Sequence, residues 1–244
     1  MILVGRKPVL EALRHPRLEV ERLVVDESSR GDGLDELVAV ASQLGVPVER
    51  SSGRRLDALA GDDRQHQGVV AHFEPPSPVP LGEFLAGRTG RQWDTNVLVL
   101  DHVHNPANVG MILRTAGGAG TDGVILPRQG TASIGPVTVK AGAGMVWSTS
   151  LIDAATVEQA LEELRDASFE LLGLDAGGED LFAMTPRSRA AWILGNETVG
   201  LCASSRAVVD RTVSLPLANG VESLNVAAAA AVVTYEIARR QQSS

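Results

Sequence analysis

Beginning near residue 96, short apolar runs alternate with stretches of helical period, and this alternation constrains the fold more than any other feature. Val97-Leu98-Val99-Leu100 is an unbroken apolar run, as expected of a strand buried on both faces. Residues 109–119 carry helical spacing, and Gly120 suits their end. A second strand is expected at 123–127, a well-patterned helix at 154–167, further strands at 170–174, 190–194 and 213–217, and a long alanine-rich helix at 224–240. Such repetition predicts an α/β fold with a mostly parallel sheet covered on both faces. In sheets of that kind ligands bind at the carboxyl ends of the strands.

The clearest boundary upstream is Glu74-Pro75-Pro76-Ser77-Pro78-Val79-Pro80, where four prolines in six residues cannot continue a helix or a central strand. An extended linker is expected over 74–95, since Gly87, Gly90 and Arg91 add no periodicity. The reading is therefore three segments: 1–73, the linker 74–95, and 96–244. The first segment alternates as well, with helices expected at 8–14, 34–44 and 55–60 and strands at 20–25, 46–49 and 69–73, which makes a small α/β sandwich.

Composition narrows the class. With 44% hydrophobic and 21% charged residues, the 244-residue chain is a folded globular protein rather than a disordered one. It has no run of about 18 apolar residues, so no membrane span is expected. The start of the chain lacks a basic stretch ahead of an apolar one, so no secretory leader is expected. Cys202 is the single cysteine, which excludes an intrachain disulfide and a Cys-cluster metal site, and fits a reducing cytoplasm.

The net charge of -8 argues against broad nucleic-acid affinity, but it is unevenly spread. Residues 1–73 hold 10 basic against 12 acidic side chains, and the remainder 12 against 18. Arg6, Lys7, Arg14 and Arg17 form one basic group, and Arg50, Arg54, Arg55 and Arg64 another. A solvated surface is the default reading of such charges. An RNA footprint is the alternative, because phosphate contacts depend on local rather than net charge.

Two apparent motifs are decoys. Gly118-Ala119-Gly120-Thr121-Asp122-Gly123 matches G-x-G-x-x-G, but it follows a helix and opens a strand, the reverse of a dinucleotide fingerprint. It reads as a helix stop and a turn. Asp101, His102 and His104 are metal-ligand types without a third clustered ligand in sequence, so no metal is expected. Neither a P-loop nor a G-x-S-x-G elbow is present.

Three segments remain, each just after an expected strand. In Asn105-Pro106-Ala107-Asn108-Val109-Gly110-Met111-Ile112-Leu113-Arg114, the Asn-Pro pair makes a turn and Asn108 is placed to cap the helix. Arg114 lies among apolar and small residues, where a long cation reaches toward something rather than merely facing water; a surface ion pair is the plain alternative. In Gly195-Asn196-Glu197-Thr198-Val199-Gly200, the glycines permit a sharp loop and Glu197 faces the expected ligand crevice, unless it is simply a cap. In Leu215-Pro216-Leu217-Ala218-Asn219-Gly220-Val221-Glu222-Ser223-Leu224-Asn225, Ser223 and Asn225 stand at a helix start, where both are favoured caps.

With these three segments in this order, the chain resembles the SpoU (TrmH-like) branch of the SPOUT RNA methyltransferases, which use S-adenosylmethionine to methylate ribose 2'-hydroxyls. The first segment is similar to that family's ribosomal-protein-like substrate-binding domain. Gly5-Arg6-Lys7-Pro8-Val9-Leu10-Glu11-Ala12-Leu13 and His66-Gln67-Gly68-Val69-Val70-Ala71 resemble its rRNA guanosine subgroup. Two positions depart from the family pattern, Ala227 and Glu222, where serine or another small residue is common.

The resemblance implies a SPOUT α/β knot, a parallel sheet with a deep trefoil knot, behind the small N-terminal domain. It also implies a homodimer with active sites built from both subunits. S-adenosylmethionine would be held near Leu174, Gly195, Leu215, Leu217 and Leu224. Arg114 would act on the ribose hydroxyl, as a phosphate-assisted base or as an electrostatic clamp, with Asn108, Glu197, Ser223 and Asn225 positioning it, the ribose and the loops. Arg6, Lys7, Arg54 and Arg55 are the expected RNA contacts. The expected substrate is 23S rRNA. A tRNA enzyme, an antibiotic-resistance rRNA methyltransferase and a non-catalytic RNA-binding or ribosome-assembly factor remain open beside it.

Overall fold

The computed structural model describes residues 1–61, 66–88 and 94–242. Arg64, Gly90 and Arg91 lie outside them. The chain divides into two compact units, Met1–Ser77 and Pro78–Ser244.

The smaller unit runs β1 (Ile2–Val4), α1 (Arg6–Arg14), β2 (Glu19–Asp26), α2 (Asp32–Gln43), β3 (Val48–Ser51), α3 (Gly53–Ala60) and β4 (Val69–Glu74). Its sheet has the order β1-β4-β2-β3, antiparallel except where β2 and β3 pair in parallel. Because strand side chains alternate in direction, Val24 and Val70 share one face, and there they pack on Leu56 of α3. β1 escapes the sequence reading because three residues are too few to show a period.

The larger unit runs β5 (Val79–Pro80), α4 (Leu81–Ala86), β6 (Thr95–Leu100), α5 (Pro106–Ala119), β7 (Gly123–Pro127), α6 (Pro136–Gly142), β8 (Leu151–Ala154), α7 (Val157–Asp166), β9 (Glu170–Asp180), β10 (Arg189–Leu194), α8 (Ala203–Val208), β11 (Arg211–Ser214) and α9 (Val226–Gln241). The sheet order is β11-β9-β10-β6-β7-β8-β5, and every pairing in it is parallel. All six residues of β6 are buried, as its apolar run requires.

On one face Val97, Val99, Ile125 and Ile152 pack with Leu161 and Leu164 of α7 and with Leu81 and Phe84 of α4. On α5, a Cβ at Gly110 would meet the Thr138 carbonyl oxygen of α6 at 2.2 Å, so α5 and α6 approach closely only with glycine there.

The linker expectation needs correction. Residues 79–86 are β5 and α4, built into the larger unit, rather than an extended spacer reaching residue 95. Two facts allow this. β5 is an edge strand, where proline is tolerated, and Leu81 and Phe84 have a core to bury into. The G-x-G-x-x-G decoy is what its position suggested: Gly120 ends α5 in the left-handed region and Gly123 opens β7.

The last turns of α9 are knit together by Glu236. Arg239, with two hydrogen bonds of 2.8 Å, and Arg240, with one of 2.7 Å, hold this buried carboxyl at a pKa of about 2.

Candidate active site

Because β6, β10, β9 and β11 run parallel and adjacent, their carboxyl ends open on one edge of the sheet. A cavity of about 400 Å³ lies there, within the range of small-molecule sites. Leu174, Gly195, Leu215, Leu217 and Leu224 all line it, and so do Glu197 and Ser223.

The loop following β10 forms one wall. Asn196 and Gly200 exchange both backbone hydrogen bonds, at 2.9 and 2.8 Å. The Asn196 side-chain oxygen accepts from the Thr198 N–H at 2.8 Å, and its amide donates to the His102 carbonyl at 3.0 Å. A Cβ at Gly195 would meet the Gly200 carbonyl carbon at 2.3 Å, so only glycine lets the two arms of the loop close.

The opposite wall is the stretch between β11 and α9. Among the described residues, one backbone hydrogen bond lies wholly within residues 215–225, from the Val221 N–H to Ala218. Leu217 and Leu224 are more than a third exposed although apolar. Apolar side chains beside backbone donors and acceptors that make no bond of their own suit a ligand with a flat aromatic part and a polar part, as S-adenosylmethionine has.

A polar network meets this cavity at Glu197. The Asn108 amide, on a buried side chain of α5, donates to the Glu197 carboxylate, and the Asn225 amide donates to the Asn108 oxygen at 3.2 Å. Asn225 also caps α9, its side-chain oxygen accepting from Ala227 N–H at 2.9 Å. The cap of α5 differs from the expectation: Asn105 accepts from the Ala107 N–H at 2.9 Å, while Asn108 lies inside the helix. Pro106 explains the shift, since its fixed φ and missing N–H suit the first helical position. Ser223 is exposed and caps nothing.

Arg114 makes none of this network's contacts. It is exposed on α5 and is not among the residues lining the cavity. Among the described residues, no hydrogen bond or ion pair engages it. The structure also adds Asp175 and Arg206, which line the cavity and form an ion pair with each other. Asp175 lies at the expected strand's end without a motif, and Arg206 on a short helix, so the sequence carries no signal for either. Asn196 lies within the Gly195-to-Gly200 segment, and asparagine's turn-forming side chain is the local signal for its role.

In the smaller unit the four basic candidates sit on two helices. Arg6 is committed structurally: its Nε donates to the Gln67 carbonyl at 3.0 Å and a terminal nitrogen to the Arg30 carbonyl at 3.4 Å. Lys7 is exposed. Arg55 pairs with Glu49 at 3.0 Å, whereas Arg54, beside it on α3, is exposed and has no ion pair among the described residues.

Comparison with known proteins decides the family. Residues 95–235, more than half of the chain, match the SpoU rRNA methylase family, and residues 2–79 match the RNA 2'-O ribose methyltransferase substrate-binding family. The chain belongs to the SpoU rRNA methylase family. It is an S-adenosylmethionine-dependent RNA 2'-O-ribose methyltransferase. Among SpoU relatives, the 23S rRNA (guanosine-2'-O-)-methyltransferase RlmB of Bordetella pertussis is 32% identical over 243 residues, covering 99% of this chain and 98% of the relative. RlmB of Ralstonia nicotianae is 31% identical over 242 residues, covering 98% and 96%. The solved structure of the SpoU methyltransferase AviRb from Streptomyces viridochromogenes, in complex with AdoMet, superposes with a TM-score of 0.79 at 26% identity, covering 100% of this chain and 91% of that one. Among the described residues, no helix is long and apolar enough to cross a membrane.

Proposed function

We propose that this enzyme methylates the ribose 2'-hydroxyl of a guanosine in 23S rRNA, acting in the cytoplasm as a homodimer. The observation that carries the site assignment is the cavity itself. The five positions expected to hold S-adenosylmethionine come from three separate stretches of chain and line one space of suitable size. The substrate assignment is supported by similarity to 23S rRNA guanosine methyltransferases over nearly the whole of both chains.

In this reading Leu174, Leu215, Leu217 and Leu224 enclose the apolar part of the cofactor, and the backbone of Gly195 and of 215–225 meets its polar part. When bound, S-adenosylmethionine supplies a methyl group on a sulfonium centre. Arg114 stabilises the developing alkoxide of the ribose as a fixed positive charge, since a guanidinium is a poor base. Asn108, Glu197 and Asn225 position the ribose and the two loops, and Ser223 offers an unengaged hydroxyl beside them.

Arg114 is exposed and is not among the residues that line its own chain's cavity, which favours delivery of this side chain to the partner subunit's site. The reading includes a trefoil knot formed by the loops after β10 and β11. The small unit binds RNA through Lys7, Arg54 and Arg55, with Arg6 stabilising the turn beside them.

The test is incubation of the purified protein with radiolabelled S-adenosylmethionine and unmodified transcripts of 23S rRNA, 16S rRNA and tRNA. Label entering 23S rRNA alone is expected. Label in tRNA or 16S rRNA would replace the substrate assignment, and absence of both label and cofactor binding would overturn the site assignment.

A further inference from the structure

We propose that Asp101, His102 and Cys202 form a binding site for a borderline divalent transition-metal ion of the zinc class, seated behind the loop that forms one wall of the cavity. In sequence, Asp101, His102 and His104 have no further ligand clustered beside them. The fold supplies one from about a hundred residues away. β6 and β10 are parallel neighbours, with Leu100 opposite Leu194, so the residues following them emerge side by side.

The carboxylate of the fully buried Asp101 lies 2.6 Å from Nδ1 of His102, and its other oxygen accepts from the Cys202 N–H at 2.8 Å. An oxygen of Asp101, a ring nitrogen of His102 and Sγ of Cys202 all lie within 4.8 Å of one another. His102 holds a left-handed backbone, φ 57°, which an L residue rarely adopts, and the Asn196 amide on its carbonyl maintains it.

The donor set fits the ion class. A carboxylate and a thiolate balance a dication, and mixed oxygen, nitrogen and sulfur donors favour zinc over magnesium or calcium. Metal–ligand bonds of about 2.0–2.3 Å need donor atoms about 3.3–3.8 Å apart in a tetrahedron, so the 2.6 Å contact between Asp101 and Nδ1 of His102 must open, while no separation among the three exceeds 4.8 Å. Rotation of the His102 and Cys202 side chains supplies that movement. The Cys202 sulfur lies within 3.0 and 3.2 Å of the Ser204 and Ser205 hydroxyls, which hold it on the side of α8 that faces Asp101. The His102 side chain is 39% exposed, which gives an entry path and room for water as a fourth ligand. None of the three residues lines the cavity, so the inference stands independently of where the cofactor binds.

The test is titration of the metal-free, reduced, full-length protein with Co²⁺, reading the thiolate-to-cobalt charge-transfer absorption in the near ultraviolet. One equivalent is expected to bind and to be displaced by Zn²⁺. Cys202→Ser should abolish the band. His102→Asn, which tolerates the left-handed backbone, should weaken binding at least tenfold. A wild-type protein without the band, or an undiminished affinity in His102→Asn, would overturn the proposal.

Discussion

The two walls of the cavity are built on opposite principles. The loop after β10 is closed by its own hydrogen bonds, with Asn196 and Gly200 paired in both directions and the Asn196 side chain filling the turn. The stretch after β11 spends almost none of its backbone on itself and leaves Leu217 and Leu224 partly exposed. Backbone groups that are unpaired in the protein are free to pair with a ligand, and segments rich in them open at low cost. In the proposed reading the wall closed by its own hydrogen bonds would fix where the cofactor sits, and the other wall would close over it. Glu197 and Asn225, joined through Asn108, tie the two walls together at one point.

Substitutions can break this division of labour in graded ways. Arg114→Ala touches neither wall and should cause the largest loss, roughly 10²–10³-fold or more in turnover, with cofactor affinity unchanged. A combined methyl-transfer and calorimetric measurement would show the split. Gly195→Ala strikes the wall closed by its own hydrogen bonds. The added Cβ forces the Gly200 backbone to move, at a cost of about 1–3 kcal/mol, so cofactor affinity should fall by roughly ten- to a hundredfold in calorimetry.

Arg54→Ala with Arg55→Ala lies in the other unit. It should weaken RNA binding several-fold and lower the salt slope by up to about 2, with cofactor affinity intact; filter binding at several salt concentrations reads both. Glu236→Gln should act least on the reaction. It removes the carboxylate that Arg239 and Arg240 hold at about pKa 2, costing about 1–2 kcal/mol at pH 7 and a few degrees in melting temperature. The sign follows from a depressed folded-state pKa. The contribution is present above the unfolded value near 4.5 and is lost as pH falls toward 2, so the variant and the parent should converge in acid melts.

What could be read in the sequence follows from how locally each feature is determined. β6 and β7 announce themselves because burial on both faces demands continuous apolar residues, and the end of α5 because Gly120 stops it. β5 and α4 were hidden behind prolines that an edge strand tolerates. β9 runs on to Asp180 past Asp175-Ala176-Gly177-Gly178, a stretch with no strand character of its own that β11 skips: Thr212 pairs with Gly173 and Val213 with Glu179, a register set at long range. The site shows the same division. Glu197, Ser223 and Asn225 stood in recognisable segments at strand ends. The substitution of Asn105 for Asn108 as cap turned on the geometry of Pro106, and the meeting of Asp175 with Arg206, or of Asp101 with Cys202, is long-range and leaves no local trace.

The central claim is that S-adenosylmethionine binds between these two unlike walls, and hydrogen exchange with and without the cofactor tests it most directly. The account predicts that amides of residues 215–225 exchange fast in the free protein and slow by at least tenfold on binding, whereas those of the loop after β10 are already protected and change little. Unchanged exchange across 215–225 at saturating cofactor would contradict it.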